Sequence, residues 1–118
     1  MRSSVPAVDT SQLLKGVLPT TALAVVSAGD TYGYQVLHRL RSAGLETVGD
    51  ASVYGTLQRL YDTGLLSSYM APSDAGPSRR YYAISAQGHA ALKQGQERWA
   101  QFEAVVSGLL EPQQGVES

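Results

Sequence analysis

The sequence contains no cysteine. This absence excludes disulfide bridges, thiolate metal ligands and cysteine nucleophiles, and it is typical of proteins from a reducing cytoplasm. The chain also lacks any apolar run near the ~18 residues that a membrane span needs, and its first residues, MRSSVPAVDTS, contain no apolar segment of the kind found in signal peptides. We therefore predict a soluble, cytoplasmic protein.

Positive charge is also scarce. Nine Lys and Arg residues stand against ten Asp and Glu residues, for a formal net charge of −1. The chain thus has no global basic field of the kind that marks many nucleic-acid-binding proteins. However, Glu97, Glu103, Glu111 and Glu117 gather toward the C-terminus. This separation of charge leaves room for a few local cations to contact DNA elsewhere.

Signatures of catalysis and of metal binding are missing. The two histidines, His38 and His89, have no partner at the spacing of metal ligands. The sequence has no nucleophile-elbow pattern, no phosphate-binding glycine loop and no pair of carboxylates on one helix face. We predict that the protein is not an enzyme, has no catalytic or metal site and uses no cofactor.

The first third of the chain has apolar residues at helical spacing. They predict a helix from Ser11 to about Gly29, bent or loosened at Pro19 because proline removes a helix hydrogen bond. A second helix is predicted at residues 32–43, capped by Thr31 and stopped by Gly44. Residues 46 and 47 can form a minimal strand after it. The buried stripe of the second helix should consist of Tyr34, Val36, Leu37 and Leu40.

The stretch DASVYGTLQRLYDTGLL, at residues 50–66, predicts a third helix around which the rest of the chain is organised. Asp50 can cap its start and Gly64 can close its end in the left-handed conformation. Apolar residues at i, i+4 and i+7 form a stripe that must face a core: Val53, Leu57 and Leu60. The opposite face combines polar, aromatic and small residues that suit a DNA groove: Ser52, Tyr54, Gly55, Gln58 and Arg59. The three helices together predict a helix-turn-helix with its third helix in the major groove.

A change to an alternating pattern follows the third helix. Residues 66–70 and 79–84 predict two strands, joined by a loop at 71–78 that contains two prolines. This hairpin is the wing of a winged helix-turn-helix. Arg79 and Arg80 alternate along a strand, so only one of them can point toward the wing tip to contact a phosphate. Tyr81 and Tyr82 should divide between the surface and the core.

A long helix is predicted from its cap at Ser85 to about Leu110, before Pro112. Its apolar residues are spaced by seven, as in helices that pair with each other. A second copy of the chain is the natural partner, and a two-fold dimer would set two recognition helices about one DNA turn (~34 Å) apart. The predicted dimer interface consists of Leu92, Trp99, Phe102, Val106 and Leu109.

Four motifs in this order resemble the PadR family of winged-helix transcriptional regulators. They are GDTYGYQVLHRL, ASVYGTLQRLYDTGLL, GPSRRYYAIS and QGHAALKQGQERW, and the resemblance covers roughly residues 13–110. Ala51 and Ser52 stand where glycine and threonine are common in the family, Gly55 where proline is common, and Tyr61 where an acid is frequent. These departures bear on DNA sequence preference more than on the fold.

The resemblance implies a mainly α fold with a small β-hairpin (α+β), organised as a winged helix-turn-helix plus a long C-terminal dimerisation helix. From the sequence we predict four segments: a disordered N-terminal arm (1–10), the DNA-binding domain (11–84), the dimerisation helix (85–111) and a flexible tail (112–118). The resemblance also implies a homodimeric repressor that binds a double-stranded DNA operator and is relieved by a small aromatic or hydrophobic effector. The implied ligand site centres on Trp99, with Gln96, Phe102, Leu14, Val17 and Leu18 around it.

Several side chains have more than one interpretation. Tyr54 can contact DNA or pack at the helix start, and Arg59 can contact a phosphate or pair with Asp62. Tyr32 and Tyr34 can bind phosphates through their hydroxyls or serve only in packing. Trp99 can belong to the interface core without binding a ligand. For the whole protein, the alternative to a DNA-binding regulator is a winged-helix module that docks onto other proteins.

Overall fold

A computed structural model of the protein describes residues 11–74 and 76–112. Within these residues it contains four helices and one three-stranded antiparallel sheet, which confirms the predicted fold class. The predicted N-terminal arm and all of the predicted tail except Pro112 lie outside the described residues. The elements in chain order are α1 (Ser11–Ser27), β1 (Thr31–Tyr32), α2 (Gly33–Ser42), α3 (Asp50–Asp62), β2 (Leu66–Ser73), β3 (Gly76–Ile84) and α4 (Ala86–Leu110).

The hydrophobic core lies between α1, α2, α3 and the sheet. The predicted stripe of α3 is confirmed, since Val53, Leu57 and Leu60 are all buried. Thr56 completes this buried face of α3, although its hydroxyl had placed it outside an apolar pattern. The core residues from the rest of the chain are Leu14, Leu18, Ala22, Leu23, Val26, Val36, Leu37, Leu40, Val48, Leu66, Tyr82 and Leu92.

The start of α2 differs from the prediction. Thr31 does not cap the helix; it pairs with Tyr82 in the sheet, and its hydroxyl donates to the side-chain oxygen of Gln35. The helix begins at Gly33, after Tyr32 in an extended conformation. Tyr34 was predicted to join the buried stripe, but its side chain is 63% exposed. The other three predicted residues of the stripe are buried.

The sheet contains a strand that the sequence pattern did not predict. The order is β1-β3-β2, so the two residues of β1 extend the hairpin along the free edge of β3. The predicted strand at residues 46 and 47 is wrong, because these residues form a turn. A two-residue strand has too little sequence for an alternating pattern, and only the edge of β3 makes residues 31 and 32 a strand.

The hairpin strands are longer than predicted. Six of the eight residues of the predicted loop at 71–78 lie within the strands, with Ala71 opposite Arg79 and Ser73 opposite Gly76. The register shifts between Ala71 and Ser73, at the position of Pro72. A proline cannot donate to a ladder and is accommodated at such an irregularity. The prolines therefore mark a defect in the ladder rather than the ends of the strands.

The ends of the helices follow the sequence signals in most cases. Gly44 and Gly64 have positive φ values of +124° and +83°, as predicted for residues that close α2 and α3. Ser85 accepts a hydrogen bond from the backbone N–H of Gly88 at 3.0 Å and caps α4, as predicted. The predicted cap by Asp50 is wrong, because Gly49 holds the cap position and the Asp50 carboxylate instead accepts from Arg41 at 2.9 Å.

Helix α4 packs along α1. The two helices meet at Gly95, where a Cβ atom would lie 2.8 Å from Cγ2 of Thr20 and closer still to its hydroxyl oxygen. Leu92, assigned to the dimer interface from the sequence, is only 9% exposed and belongs to the core of its own chain. Beyond this crossing, the side chains of α4 are exposed or half-buried.

Candidate DNA-binding surface and dimer face

The outer face of α3 is open along its length. Ser52, Tyr54, Gln58 and Arg59 are exposed and Gly55 is half-buried, so the structure brings all five residues of the predicted DNA-facing side to the surface. Gly55 has only Arg59 near the position of a Cβ atom, at 3.6 Å. No side chain therefore projects from the middle of this face at Gly55. A flat polar surface, such as the edges of DNA bases, can approach the helix backbone closely there.

Tyr54 packs on the first turn of α2 and also reaches the surface. A Cβ atom at Gly33 would lie 2.7 Å from Cδ1 of the Tyr54 ring. Only glycine at this position leaves room for the ring. The Tyr54 side chain is nevertheless 42% exposed. The packing and DNA-contact interpretations of this residue are thus compatible with each other.

Gln58 has hydrogen-bond partners at both ends of its amide. Its Nε2 donates to Oδ1 of Asp62 at 2.9 Å, and its Oε1 accepts from Nη1 of Arg80 at 3.1 Å. The sequence had offered Asp62 as one of two partners for Arg59, the other being a phosphate, and it had not connected Asp62 or the wing with Gln58. The spacing of Gln58 and Asp62 at i and i+4 was the available signal.

Arg80 is directed at α3 rather than at the wing tip. Its Nε donates to the hydroxyl of Ser68 at 3.2 Å, and its guanidinium carbon lies 4.7 Å from the ring centre of Tyr61 and 5.0 Å from that of Tyr82. Cation–π contacts of this length hold a guanidinium in place. Arg79 points to the other side of the strand and is exposed. Of the two arginines, Arg79 is the one available to a phosphate.

Arg59 and Lys15 border a cleft beside the first turn of α3. Arg59 donates to the hydroxyl of Thr56 at 3.2 Å. The cleft between α1 and α3 has a volume of about 470 Å³, and Leu18 also lines it. Lys15 was missed by the sequence reasoning, because only the packing of α1 on α3 places it near the recognition helix. Together the two side chains supply positive charge along this cleft.

The outer face of the sheet carries a row of three tyrosine rings. Tyr81 lies between Tyr32 and Tyr69, with ring centres 5.3 Å and 5.7 Å away, and Arg79 lies 4.4 Å above the Tyr32 ring. The hydroxyl of Tyr69 donates to the Asp30 carboxylate at 2.6 Å. This hydrogen bond raises the pKa of Tyr69 above its ordinary value. The hydrogen bond thus favours the neutral, donating form of the Tyr69 hydroxyl.

Tyr34 lies on the exposed side of α2 and stacks on His38, with ring centres 6.4 Å apart and planes inclined by 18°. Its hydroxyl is thus held on a surface rather than in the core. Tyr32 is half-buried in the sheet beneath Arg79. Of the two tyrosines predicted to contact phosphates, Tyr34 is the more accessible.

Helix α4 presents large apolar side chains to solvent. Trp99 is 49% exposed, Phe102 62% and Leu109 75%, while Val106 is half-buried. Leu13 of α1, which sequence reasoning had not assigned to this face, is 70% exposed beside them. Monomeric soluble proteins rarely expose a continuous apolar patch of this kind, and such patches mark interaction sites.

An open apolar cleft of about 1050 Å³ runs between α1 and α4. Five of the six predicted ligand-contacting residues line it: Leu14, Val17, Gln96, Trp99 and Phe102. The sixth, Leu18, turns into the core and toward the smaller cleft near α3. Thr20 and Gly95 also line the larger cleft, where the two helices cross.

Neither a metal site nor a membrane span is found in the part of the chain that the structure describes. Residues 11–74 and 76–112 contain no group of three or more His, Asp or Glu side chains placed to hold a metal ion. None of the helices in these two ranges has the length and apolar content to cross a membrane.

Comparisons with known proteins agree with this architecture. The model of the PadR-like family of transcriptional regulators matches residues 22–94. The structure is similar to that of a PadR-like transcriptional regulator from Bacillus cereus, with a TM-score of 0.78, 32% sequence identity and coverage of 87% of this chain and 100% of that one. A transcriptional regulator from Streptococcus has a TM-score of 0.77 and 31% identity, with coverage of 86% and 99%.

A curated relative from Lysinibacillus sphaericus, an uncharacterised protein, is 25% identical over 103 residues, which is 86% of this chain and 94% of the relative. The family match spans α2, α3 and the wing, which carry most of the candidate DNA-binding surface, and it also includes the end of α1 and the start of α4. Members of this family are DNA-binding regulators and not enzymes. The chain belongs to the PadR-like family of transcriptional regulators.

Proposed function

We propose that the protein is a homodimeric repressor that binds a DNA operator and is released by a small aromatic or hydrophobic effector. One observation carries this proposal. The same chain exposes a polar face on α3 and, on α4, an apolar stripe that includes Trp99, Phe102 and Leu109. The first surface suits DNA, and the second suits another copy of the chain.

The DNA contacts divide between bases and phosphates. Ser52, Tyr54, Gly55 and Gln58 face the bases of the major groove, where hydrogen-bonding edges distinguish the base pairs. Backbone contacts come from residues at the edges of the surface, and these contacts set the register on the duplex. The phosphate-contacting residues are Lys15, Tyr34, Arg59 and Arg79, with Tyr32 supporting Arg79 from below.

The dimer contact forms through α4. Pairing of two copies removes the exposed side chains of Trp99, Phe102 and Leu109 from water, and burial of a large apolar side chain contributes about 1.5–3 kcal/mol. A two-fold axis also duplicates α3 at a separation matched to successive turns of the major groove. A protein that binds an operator must share a compartment with the DNA, which is consistent with the cytoplasmic location predicted from the sequence.

The effector site is the cleft between α1 and α4. Its lining is mainly apolar with Gln96 as a polar group, and Trp99 offers a flat ring for an aromatic ligand. A ligand that prefers one separation of the two α3 helices, while the operator prefers another, lowers the affinity for the operator. By thermodynamic linkage, the operator then lowers the affinity for the ligand by the same factor.

A DNA titration tests the regulator function. Fluorescence anisotropy of a labelled duplex from upstream of the protein's own gene is measured at several salt concentrations, beside a scrambled duplex of the same composition. We expect tighter binding to the upstream duplex and a steep loss of affinity with salt, because DNA binding releases counterions. If the protein binds neither that duplex nor any member of a randomised duplex library at low salt, the result contradicts the regulator function and favours the alternative of a protein-docking module.

A pair of variants tests the dimer. Phe102→Glu places a charge in the apolar stripe of α4, and Gln101→Glu places the same charge on the neighbouring exposed residue. Sedimentation equilibrium should give a monomer for the first variant, because a buried unpaired carboxylate is strongly unfavourable, and a dimer for the second. A dimer in both cases would contradict the role of α4.

The effector site is tested with anilinonaphthalene sulfonate, an apolar aromatic probe. Trp99 is the only tryptophan, so its quenching reports binding in the cleft. Trp99→Ala should lower the affinity of the protein for the probe, measured by the fluorescence of the probe, and Gln101→Ala should leave this affinity unchanged. The probe should also lower operator affinity. Equal probe affinity for wild type and Trp99→Ala would remove Trp99 from the ligand site.

A further inference from the structure

We propose that Asp62 and Arg80 are positioning residues that hold the Gln58 amide in one orientation, ready to read an adenine in the major groove. The inference rests on the proposed DNA-binding function and adds two residues to it. Neither residue contacts the base itself. Asp62 lies one turn along α3 from Gln58, and Arg80 reaches it from β3.

The chemistry of the two partners determines which way the amide points. A carboxylate can only accept hydrogen bonds and a guanidinium can only donate them. The Gln58 nitrogen must therefore face Asp62, at 2.9 Å, and the oxygen must face Arg80, at 3.1 Å. A flipped amide would place the N–H groups of Gln58 against the Arg80 guanidinium. It would also place the amide oxygen of Gln58 against the Asp62 carboxylate, and both of these groups are acceptors.

The amide still has the hydrogen-bonding capacity that an adenine needs. A glutamine side chain carries two N–H donors and an oxygen with two lone pairs. Asp62 uses one donor and Arg80 uses one lone pair, so one N–H and one lone pair of Gln58 remain. Adenine takes these two groups, since its N7 accepts from the amide nitrogen and its N6 donates to the amide oxygen.

Arg80 is suited to this role because it is itself held in place. It donates to Ser68 at 3.2 Å and lies against the rings of Tyr61 and Tyr82, at 4.7 Å and 5.0 Å. Through Arg80, the wing thus holds a side chain of α3 in place. A side chain ordered before binding loses less conformational freedom on binding than a mobile one does.

Asp62 has no other evident reason to lie on this face. A carboxylate beside DNA repels the phosphates, and electrostatic attraction to phosphates is the main source of affinity for DNA. Asp62 is exposed and next to the predicted base-contacting surface, so its charge is unfavourable there. Its hydrogen bond to Gln58 explains why an acceptor is useful at this position.

The experiment is a selection from a randomised duplex library with the full-length protein and five variants. Gln58→Ala removes the reading group. Asp62→Ala removes the acceptor, whereas Asp62→Asn removes only the charge and keeps an acceptor oxygen. Arg80→Met removes the donor but keeps an unbranched side chain over the tyrosine rings. Arg79→Met is the matched control, since it removes the same charge from the opposite side of the strand.

The wild type should enrich adenine at one position of each half-site, and Gln58→Ala should lose this enrichment. Asp62→Ala and Arg80→Met should each lower the preference for adenine at that position about tenfold, within the range of one bidentate contact. Asp62→Asn should keep the preference and bind all duplexes more tightly. Arg79→Met should bind all duplexes more weakly with the preference unchanged.

Two results would overturn the inference. If Asp62→Ala and Arg80→Met keep the wild-type preference, the two residues do not position Gln58. If Gln58→Ala keeps it, Gln58 reads no base. In both cases the wild type still selects a sequence, whereas failure of the DNA-binding function would leave the wild type without any enriched sequence. Thermal unfolding of each variant controls for the fold, and the conservative Asp62→Asn variant keeps the comparison valid if Asp62→Ala is unstable.

Discussion

Replacing Gly33 with alanine should push the Tyr54 ring away from α2. The new Cβ atom would lie 2.7 Å from Cδ1 and 3.4 Å from Cζ of the ring, and closer still to Cε1. Carbon atoms in contact normally lie about 3.5–4.0 Å apart, so the ring must move by about 1 Å or more. Overpacking of this kind costs about 1–3 kcal/mol. Alanine's higher helix propensity offsets at most about 1 kcal/mol of this. After the full offset, we expect a net loss of up to about 2 kcal/mol in the free energy of unfolding.

A double-mutant cycle measures whether this loss arises from Tyr54. Urea unfolding is followed for Gly33→Ala, Tyr54→Ala and the double variant, at one protein concentration because a dimer's stability depends on concentration. In the Tyr54→Ala background the alanine at position 33 meets no ring, so its cost should disappear. The coupling energy should therefore reach about 1 kcal/mol or more. Gly16→Ala is the control, because a Cβ atom there meets nothing within 4 Å and should stabilise α1 by about 0.5–1 kcal/mol.

The same displacement should weaken DNA binding. If Tyr54 contacts the operator from its position over Gly33, Gly33→Ala should bind the operator more weakly than the wild type, as Tyr54→Ala should. A coupling energy within about 0.3 kcal/mol of zero, which is the behaviour of independent sites, would refute the reasoning. It would mean that the Tyr54 ring does not lie against α2 in solution.

Three further predictions concern other contacts. Gly88→Ala would place a Cβ atom 2.7 Å from Cγ1 of Ile84 and closer still to the carbonyl oxygen of Leu65. Because the backbone at Leu65 cannot move aside as a side chain can, we expect the free energy of unfolding, measured with urea, to fall by about 3 kcal/mol or more. A fall below about 1 kcal/mol would contradict this packing. Asp30→Asn should lower the pKa of Tyr69 in an ultraviolet titration, because hydrogen bonding to the carboxylate raises it. The stability from that contact is present below the ordinary tyrosine pKa and is lost as pH rises through the raised value, and an unchanged Tyr69 titration in the variant would contradict the assignment. Arg41→Ala removes two hydrogen bonds, of 2.7 Å and 3.1 Å, to the Val48 carbonyl before α3, and it also removes the bond to the Asp50 carboxylate at 2.9 Å. It should cost about 1 kcal/mol in thermal unfolding, and an unchanged melting temperature would show that these bonds contribute nothing net.

Much of the chain's local structure could be predicted from the sequence, because it depends on neighbouring residues. The apolar spacing of Val53, Leu57 and Leu60 indicated the buried side of α3. Gly44 and Gly64 marked helix ends, since a left-handed residue is needed there whatever surrounds it. These signals were sufficient for the fold class and for the polar face that a recognition helix requires.

Other features depended on residues far apart in the sequence. Thr31 and Tyr32 form a strand only because β3 leaves an edge free for them. Leu92 shares its heptad spacing with Trp99, yet the crossing of α1 and α4 buries the first in its own chain and leaves the second exposed. Periodicity identifies an apolar face of a helix, but it does not say which part of that face the same chain covers.

The candidate site shows the same division. By itself the sequence determined that α3 has a polar face and that Gln58 lies on it. Only the tertiary structure decided that Arg80 points at Gln58 while Arg79 lies over the Tyr32 ring, and that Gly33 leaves room for the Tyr54 ring. The physical reason is that a strand's alternation sets two opposite directions for neighbouring side chains. Which of the two faces the recognition helix is decided by the packing of the sheet against α3.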